Sequence, residues 1–156
     1  EVAELGTLEV RGNSSTSISN KDTSHWYGGL HDFFLEQSTF VNLPYRAKYG
    51  INLKDSTFKM DYKVDENLVE INLPPIELLS LELLVHQAQF NTQKGLFKTE
   101  DEHLYQSMER LLYDRIQNEL KQHEGYKRQA QEQVERLLKA HFNVFHITVK
   151  FNTIHH

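Results

Sequence analysis

Cysteine is absent from the 156 residues, which removes disulfides, thiolate metal sites and cysteine nucleophiles from consideration. Proline is scarce, at three residues, so long uninterrupted elements are open to the chain. No stretch approaches the run of about twenty apolar residues that a membrane-spanning helix requires. Basic charge is outnumbered, 17 Lys and Arg against 22 Asp and Glu for a formal net charge of -5. A general nucleic-acid binder would show the opposite balance or a basic stripe. Glycine-rich phosphate loops, the dinucleotide fingerprint and the nucleophile elbow are all missing. His123-Glu124-Gly125 begins like a zinc-protease helix, but Lys127 stands where the second histidine belongs. The nine histidines are scattered, and neither a metal nor a cofactor is implied.

The stretch 99–141 contains no proline, and its charge pattern reads as helix. Thr99 followed by Glu102 forms a capping box, with the threonine hydroxyl and the glutamate each serving a backbone N–H. Acidic residues at 100–102 and basic ones at Lys139 and His141 oppose the macrodipole at its two ends. Winding at 100° per residue puts Leu104, Met108, Leu111, Leu112, Ile116, Leu120, Tyr126, Ala130, Val134, Leu137 and Leu138 on one arc, the expected buried face. The only breaker is Gly125, and no Ser, Thr, Asp or Asn follows it to cap a new start. One helix, kinked at most, is the expectation. It would be roughly 60 Å long at 1.5 Å per residue, more than a domain of this size spans. Part of it would then overhang, with Val134 and Leu137 available to meet a partner or a second copy. Arg115, Glu119 and His123 interrupt the arc at successive i, i+4 steps. They read either as a small ion-paired site with a titrating histidine or as a solvated face.

Short strands surround this helix. Residues 4–11 read as one, and the polar run 12–21 as a loop. Residues 25–34, dense in aromatics around a Gly-Gly pair, offer Trp26 and Tyr27 as a lid or binding loop, or as rings plugging the sheet. From 39 to 49 Val41, Leu43, Tyr45, Ala47 and Tyr49 alternate with mostly polar residues, a half-buried strand. Met60, Tyr62 and Val64 repeat the pattern, followed by Val69, Ile71 and Leu73. A four-residue loop over 65–68 would set Val64 opposite Val69 and Tyr62 opposite Ile71, keeping one face apolar. Pro74-Pro75 ends that strand. A turn and a strand from about Ser80 follow, then a turn at 91–95. After the helix, Phe145, Ile147, Val149 and Phe151 alternate as a closing strand. These elements predict a single α+β domain over 1–156: a mostly antiparallel sheet of five or six strands packed on one long C-terminal helix, closing with a final strand.

Residues 4–10 (ELGTLEV), 49–53 (YGINL), 71–79 (INLPPIELL) and Gly95-Leu96-Phe97 before the long helix resemble, in order and spacing, the family of unknown function numbered 4230. The resemblance covers nearly the whole chain. It departs at Asn52, where the family usually has Asp, and the aromatic stretch around Trp26 has no counterpart in it. The resemblance implies a bacterial cell-envelope protein held by an N-terminal transmembrane helix upstream of Glu1, and it implies no activity. Three functions follow as expectations. The first is a membrane-tethered interaction or assembly module working through the 99–141 helix, by self-association or with a protein partner. The second is a small-ligand or lipid-binding domain with a groove between sheet and helix. The third is a hydrolase using Arg115, Glu119 and His123.

Overall fold

A computed structural model describes residues 4–18, 39–92 and 102–152 of the chain. Trp26, Tyr27, the Thr99 cap and the 95–97 segment lie outside the described residues. Seven strands and two helices follow one another among those described. They are β1 (Glu4–Ile18), β2 (Thr39–Asn52), β3 (Lys59–Lys63), β4 (Leu68–Asn72), β5 (Glu77–Leu83), β6 (Gln89–Thr92), α1 (Glu102–Lys121), α2 (Glu124–Asn143) and β7 (Thr148–Asn152). The α+β class is as expected. The single sheet on a single helix is not: the strands form two sheets. One has the order β1-β2-β5, with β6 antiparallel to β2 from Thr39 opposite Thr92 to Asn42 opposite Gln89. The other has the order β3-β4-β7. In it β4 runs antiparallel to β3 and parallel to β7, the return made possible by the long helical connection between them.

The chain divides into two compact units. The first comprises Glu1–Val10, Ala47–Ser80 and His123–His156, and its core holds Ala47, Tyr49, Ile51, Val69, Ile71, Ala130 and Val134. The second comprises Arg11–Arg46 and Leu81–Gln122, and buries Val41, Leu43, Tyr45, Leu111, Leu112, Ile116 and Leu120. The apolar alternation of β2 and the helical arc therefore mark the core as the sequence pattern requires.

Besides the 91–95 turn, whose first two residues belong to β6, and the closing strand, which opens at Thr148 and leaves Phe145 in the turn before it, three local readings change. The polar run after Arg11 continues β1 to Ile18. Pairing along β2 outweighs the weak strand preference of Ser and Asn, and the Arg115 guanidinium donates to the Thr16 hydroxyl at 2.6 Å and to the Ser17 carbonyl at 3.3 Å. The β3–β4 hairpin keeps a four-residue connection, but over 64–67, which sets Tyr62 opposite Val69 and Met60 opposite Ile71. The shift is two residues, so the apolar face survives. Its cause is Asn67, which takes the left-handed conformation at φ 50° and closes a 3-10 turn by donating its N–H to the Val64 carbonyl.

The third change is the long helix. It breaks at Gln122-His123 into α1 and α2, 20 residues each, or about 30 Å apiece. The excess length that pointed to an overhang is gone, and Val134 is fully buried. His123 supplies the cap that was thought missing: its Nδ1 accepts from the Tyr126 N–H at 3.2 Å. Its ring stacks on Tyr126, centroids 3.8 Å apart at 14°. Imidazole is an unusual N-cap, but an unprotonated ring nitrogen offers the same lone pair as a side-chain oxygen. We expect His123→Ala to lower stability to urea by about 1–2 kcal/mol, through the lost cap and stack. His123→Asn should recover part of that loss, and equal losses in the two variants would rule out capping as the cause.

Candidate functional site

The three-stranded sheet of the first unit gathers the features that point outward from the fold. Alternation sorts its residues onto two faces. One carries Lys59, Asp61 and Lys63 from β3, Glu70 and Asn72 from β4, and Lys150 and Asn152 from β7. Glu70 is its centre: Lys63 Nζ lies 3.0 Å and Lys150 Nζ 3.3 Å from the same carboxylate oxygen, Oε1. The hydrogen bond from Lys63, then that from Lys150, holds the Glu70 carboxyl below the usual range against the opposing effect of burial. Lys63 is shifted upward, chiefly by its hydrogen bond to Glu70. Asn152 Nδ2 donates to Asn72 Oδ1 at 3.0 Å, one further cross-strand pair.

The opposite face carries Met60 and Tyr62, then Val69 and Ile71, then Val149 and Phe151. Val69 and Ile71 are buried. The α2 helix reaches the β7 side of this face, where Lys139 Nζ stands 5.3 Å from the centroid of the Phe151 ring. On the β3 side the face is open among the described residues. Met60 is 54% exposed, Tyr62 47% and Val64, just past the strand, 73%. The apolar layer thus runs one strand beyond what the described residues bury. Among the described residues β3 is also an edge strand, pairing on one side only, with β4.

Asn67 locks these parts together. Its Oδ1 accepts from the Tyr62 hydroxyl at 2.9 Å, and its Nδ2 donates to the His146 carbonyl at 2.7 Å. Its own carbonyl accepts from Thr148 N–H at 3.0 Å. His146 is itself left-handed, at φ 57°, a conformation uncommon outside glycine. Beside it an open cleft of about 630 Å³ lies between the end of α2 and β7. Its charged lining is basic, from Arg136 and Lys139, and His146, Asn143, Ala140 and Val149 add polar and apolar surface.

The residues singled out in the sequence fall elsewhere. Arg115 is held against β1 in the second unit, and Glu119, on the same helix, is exposed. His123 belongs to the first unit, where its Nδ1 is taken up by the α2 cap. Trp26 and Tyr27 lie outside the described residues. Among the described residues no group of three His, Cys, Asp or Glu is placed to hold a metal ion. Met60, Tyr62 and Val64 had been read as one apolar face of a strand; that a helix would stop short of them is a tertiary fact without a local signal. The cleft was missed for a similar reason, since Arg136 and Lys139 have the spacing of a wet helix face.

The family described as "Protein of unknown function (DUF4230)" matches residues 1–152. The chain belongs to that family. No curated protein and no solved structure matches it. Membership in DUF4230 therefore fixes ancestry without supplying an activity, and function has to be argued from the surfaces just described.

Glu70 gives a pH signature. Its folded pKa is depressed, so its contribution to stability is present above the unfolded value of about 4.5 and fades as pH falls through the lower folded value. Glu70→Gln should be less stable than the parent at pH 7 and converge on it as pH drops from about 5 towards 2. A gap that stayed constant across that range in urea titrations would show that the two lysine contacts contribute nothing through charge.

Proposed function

We propose that this chain is an assembly module of a membrane-tethered bacterial envelope protein, joining its partner through the β3 margin of the three-stranded sheet. The observation that carries this reading is the change in burial across that sheet's apolar face. Val69 and Ile71 are covered, whereas Met60 and Tyr62, opposite them on β3, are about half open. Large apolar side chains left in a row on an unpaired edge strand mark a place where another surface belongs. The helix no longer supplies the argument, because two helices of ordinary length replace the long one. Leu137 remains exposed on α2, as do Val144 and Phe145 in the turn after it, and they add apolar surface to the same unit.

The tether is part of the proposal and rests on the family resemblance. Among the described residues no helix is long and apolar enough to cross a membrane, so the anchor would lie elsewhere in the protein. The cleft beside α2 supports a second reading, binding of a small anionic ligand. Its volume falls within the range of small-molecule sites, and its charged lining is of one sign in a chain that is acidic overall. The hydrolase reading draws no support from Arg115, whose guanidinium binds β1, or from His123, whose ring caps a helix.

Light scattering across a wide concentration range tests the assembly reading. A mass above the monomer, returned to the monomer by Met60→Glu with Tyr62→Glu while circular dichroism stays unchanged, is the expected result. A monomer at every concentration would remove self-assembly and leave the basic cleft as the better guide.

A further inference from the structure

We propose that the partner at β3 is a second copy of this chain, joined edge to edge by antiparallel pairing of residues 58–62 about a two-fold axis at Met60. The proposal rests on the assembly reading and names its partner and its register.

A two-fold axis perpendicular to an edge strand pairs each residue with the one equally distant from the axis on the other copy. Registers that mix the two faces would set Met60 or Tyr62 against charged residues, so they are excluded. Three face-preserving registers remain for a strand of this length. Centred on Asp61, the pairing would oppose Asp61 to the partner's Asp61 and Lys59 to the partner's Lys63, like charge against like. Centred on Tyr62, it would bring Asp61 to the partner's Lys63. That lysine is already 3.0 Å from Glu70 on its own copy.

Centred on Met60, every pair is complementary. Met60 meets the partner's Met60 on the apolar face. Phe58, which stands just before β3 with its N–H held by the Asp55 carbonyl, comes beside the partner's Tyr62, an aromatic contact that occurs twice by symmetry. Lys59 meets the partner's Asp61 on the polar face, again twice. The five residues Phe58-Lys59-Met60-Asp61-Tyr62 are thus a physical palindrome: aromatic, cation, apolar, anion, aromatic. Lysines on an edge ordinarily deter pairing, but alternating with aspartate they specify one register. The product is a continuous six-stranded sheet in which Met60 and Tyr62 of each copy gain apolar neighbours across the new strand pair.

Because the chain has no cysteine, single thiols report the register directly. Directly opposed residues in an antiparallel pair have Cα atoms about 4.5–5.5 Å apart, within disulfide reach. Met60→Cys should form a covalent dimer under mild oxidation, reversed by dithiothreitol. Tyr62→Cys, about 14 Å from its copy in this register, and Val64→Cys, about 27 Å from its copy, should not. Separately, Asp61→Lys should raise the dimer dissociation constant about tenfold, and Lys59→Asp combined with Asp61→Lys should restore it. A dimer by light scattering with no Met60→Cys cross-link, or with preferential Tyr62→Cys cross-linking, overturns this pairing and leaves assembly standing through another surface or register. A monomer at all concentrations without any cross-link overturns both.

Discussion

The left-handed turn at Asn67 is the constraint on which the three-stranded sheet depends. Apolar matching alone leaves the β3–β4 register open to even shifts, since a slip of two residues keeps Met60, Tyr62, Val69 and Ile71 on one face. Asn67 removes that freedom. Its backbone closes the 3-10 turn on Val64, its amide oxygen takes the Tyr62 hydroxyl, and its amide nitrogen and carbonyl reach the residues that open β7. Asparagine suits the role because it tolerates positive φ and carries both a donor and an acceptor. From this register follow the position of Glu70 between two lysines, the exit of Val64 from the strand and the set of residues that faces outward along β3.

Much of this was legible in the sequence, for reasons that can be named. The core positions of β2 follow from strict alternation, and the buried residues of both helices from a 3.6-residue period. The end of β4 follows from Pro74-Pro75, neither of which can donate to a ladder. What failed was of two kinds. The helix break was hidden because a histidine cap lies outside the usual Ser, Thr, Asp and Asn set. The strand character of the run after Arg11 was hidden because it comes from pairing with β2 and contacts to α1 rather than from propensity. For the candidate surface, the residues were identified and their alternation was right, but their burial was assumed. Local pattern states which side of a strand is apolar; it does not state how far the covering helix extends.

That distinction moves the functional argument from the helix to the sheet. A continuous helix of roughly 60 Å would have needed a neighbour simply because of its length. Two helices of about 30 Å each, the second capped by His123, carry no such requirement from length, and Val134, which would have faced that neighbour, is fully buried. Among the described residues the unsatisfied element is now β3, where exposed apolar side chains and an edge without a second strand coincide. Coincidence matters here: an exposed apolar residue alone is ordinary on a protein surface, and an edge alone is present on every open sheet.

The charge arrangement around Glu70 bears on that edge as well. Glu70 draws Lys63 and Lys150 towards the middle of the sheet, so the outer row of β3 does not present three equivalent charges. Lys63 is committed inward, and Lys59 with Asp61 is left to face whatever pairs with the strand. A lysine and an aspartate two residues apart on one face are complementary to themselves when reversed, whereas two lysines would repel. In the proposed pairing, a single carboxylate on the central strand, by holding Lys63, disfavours the register that would need that lysine for the partner's Asp61.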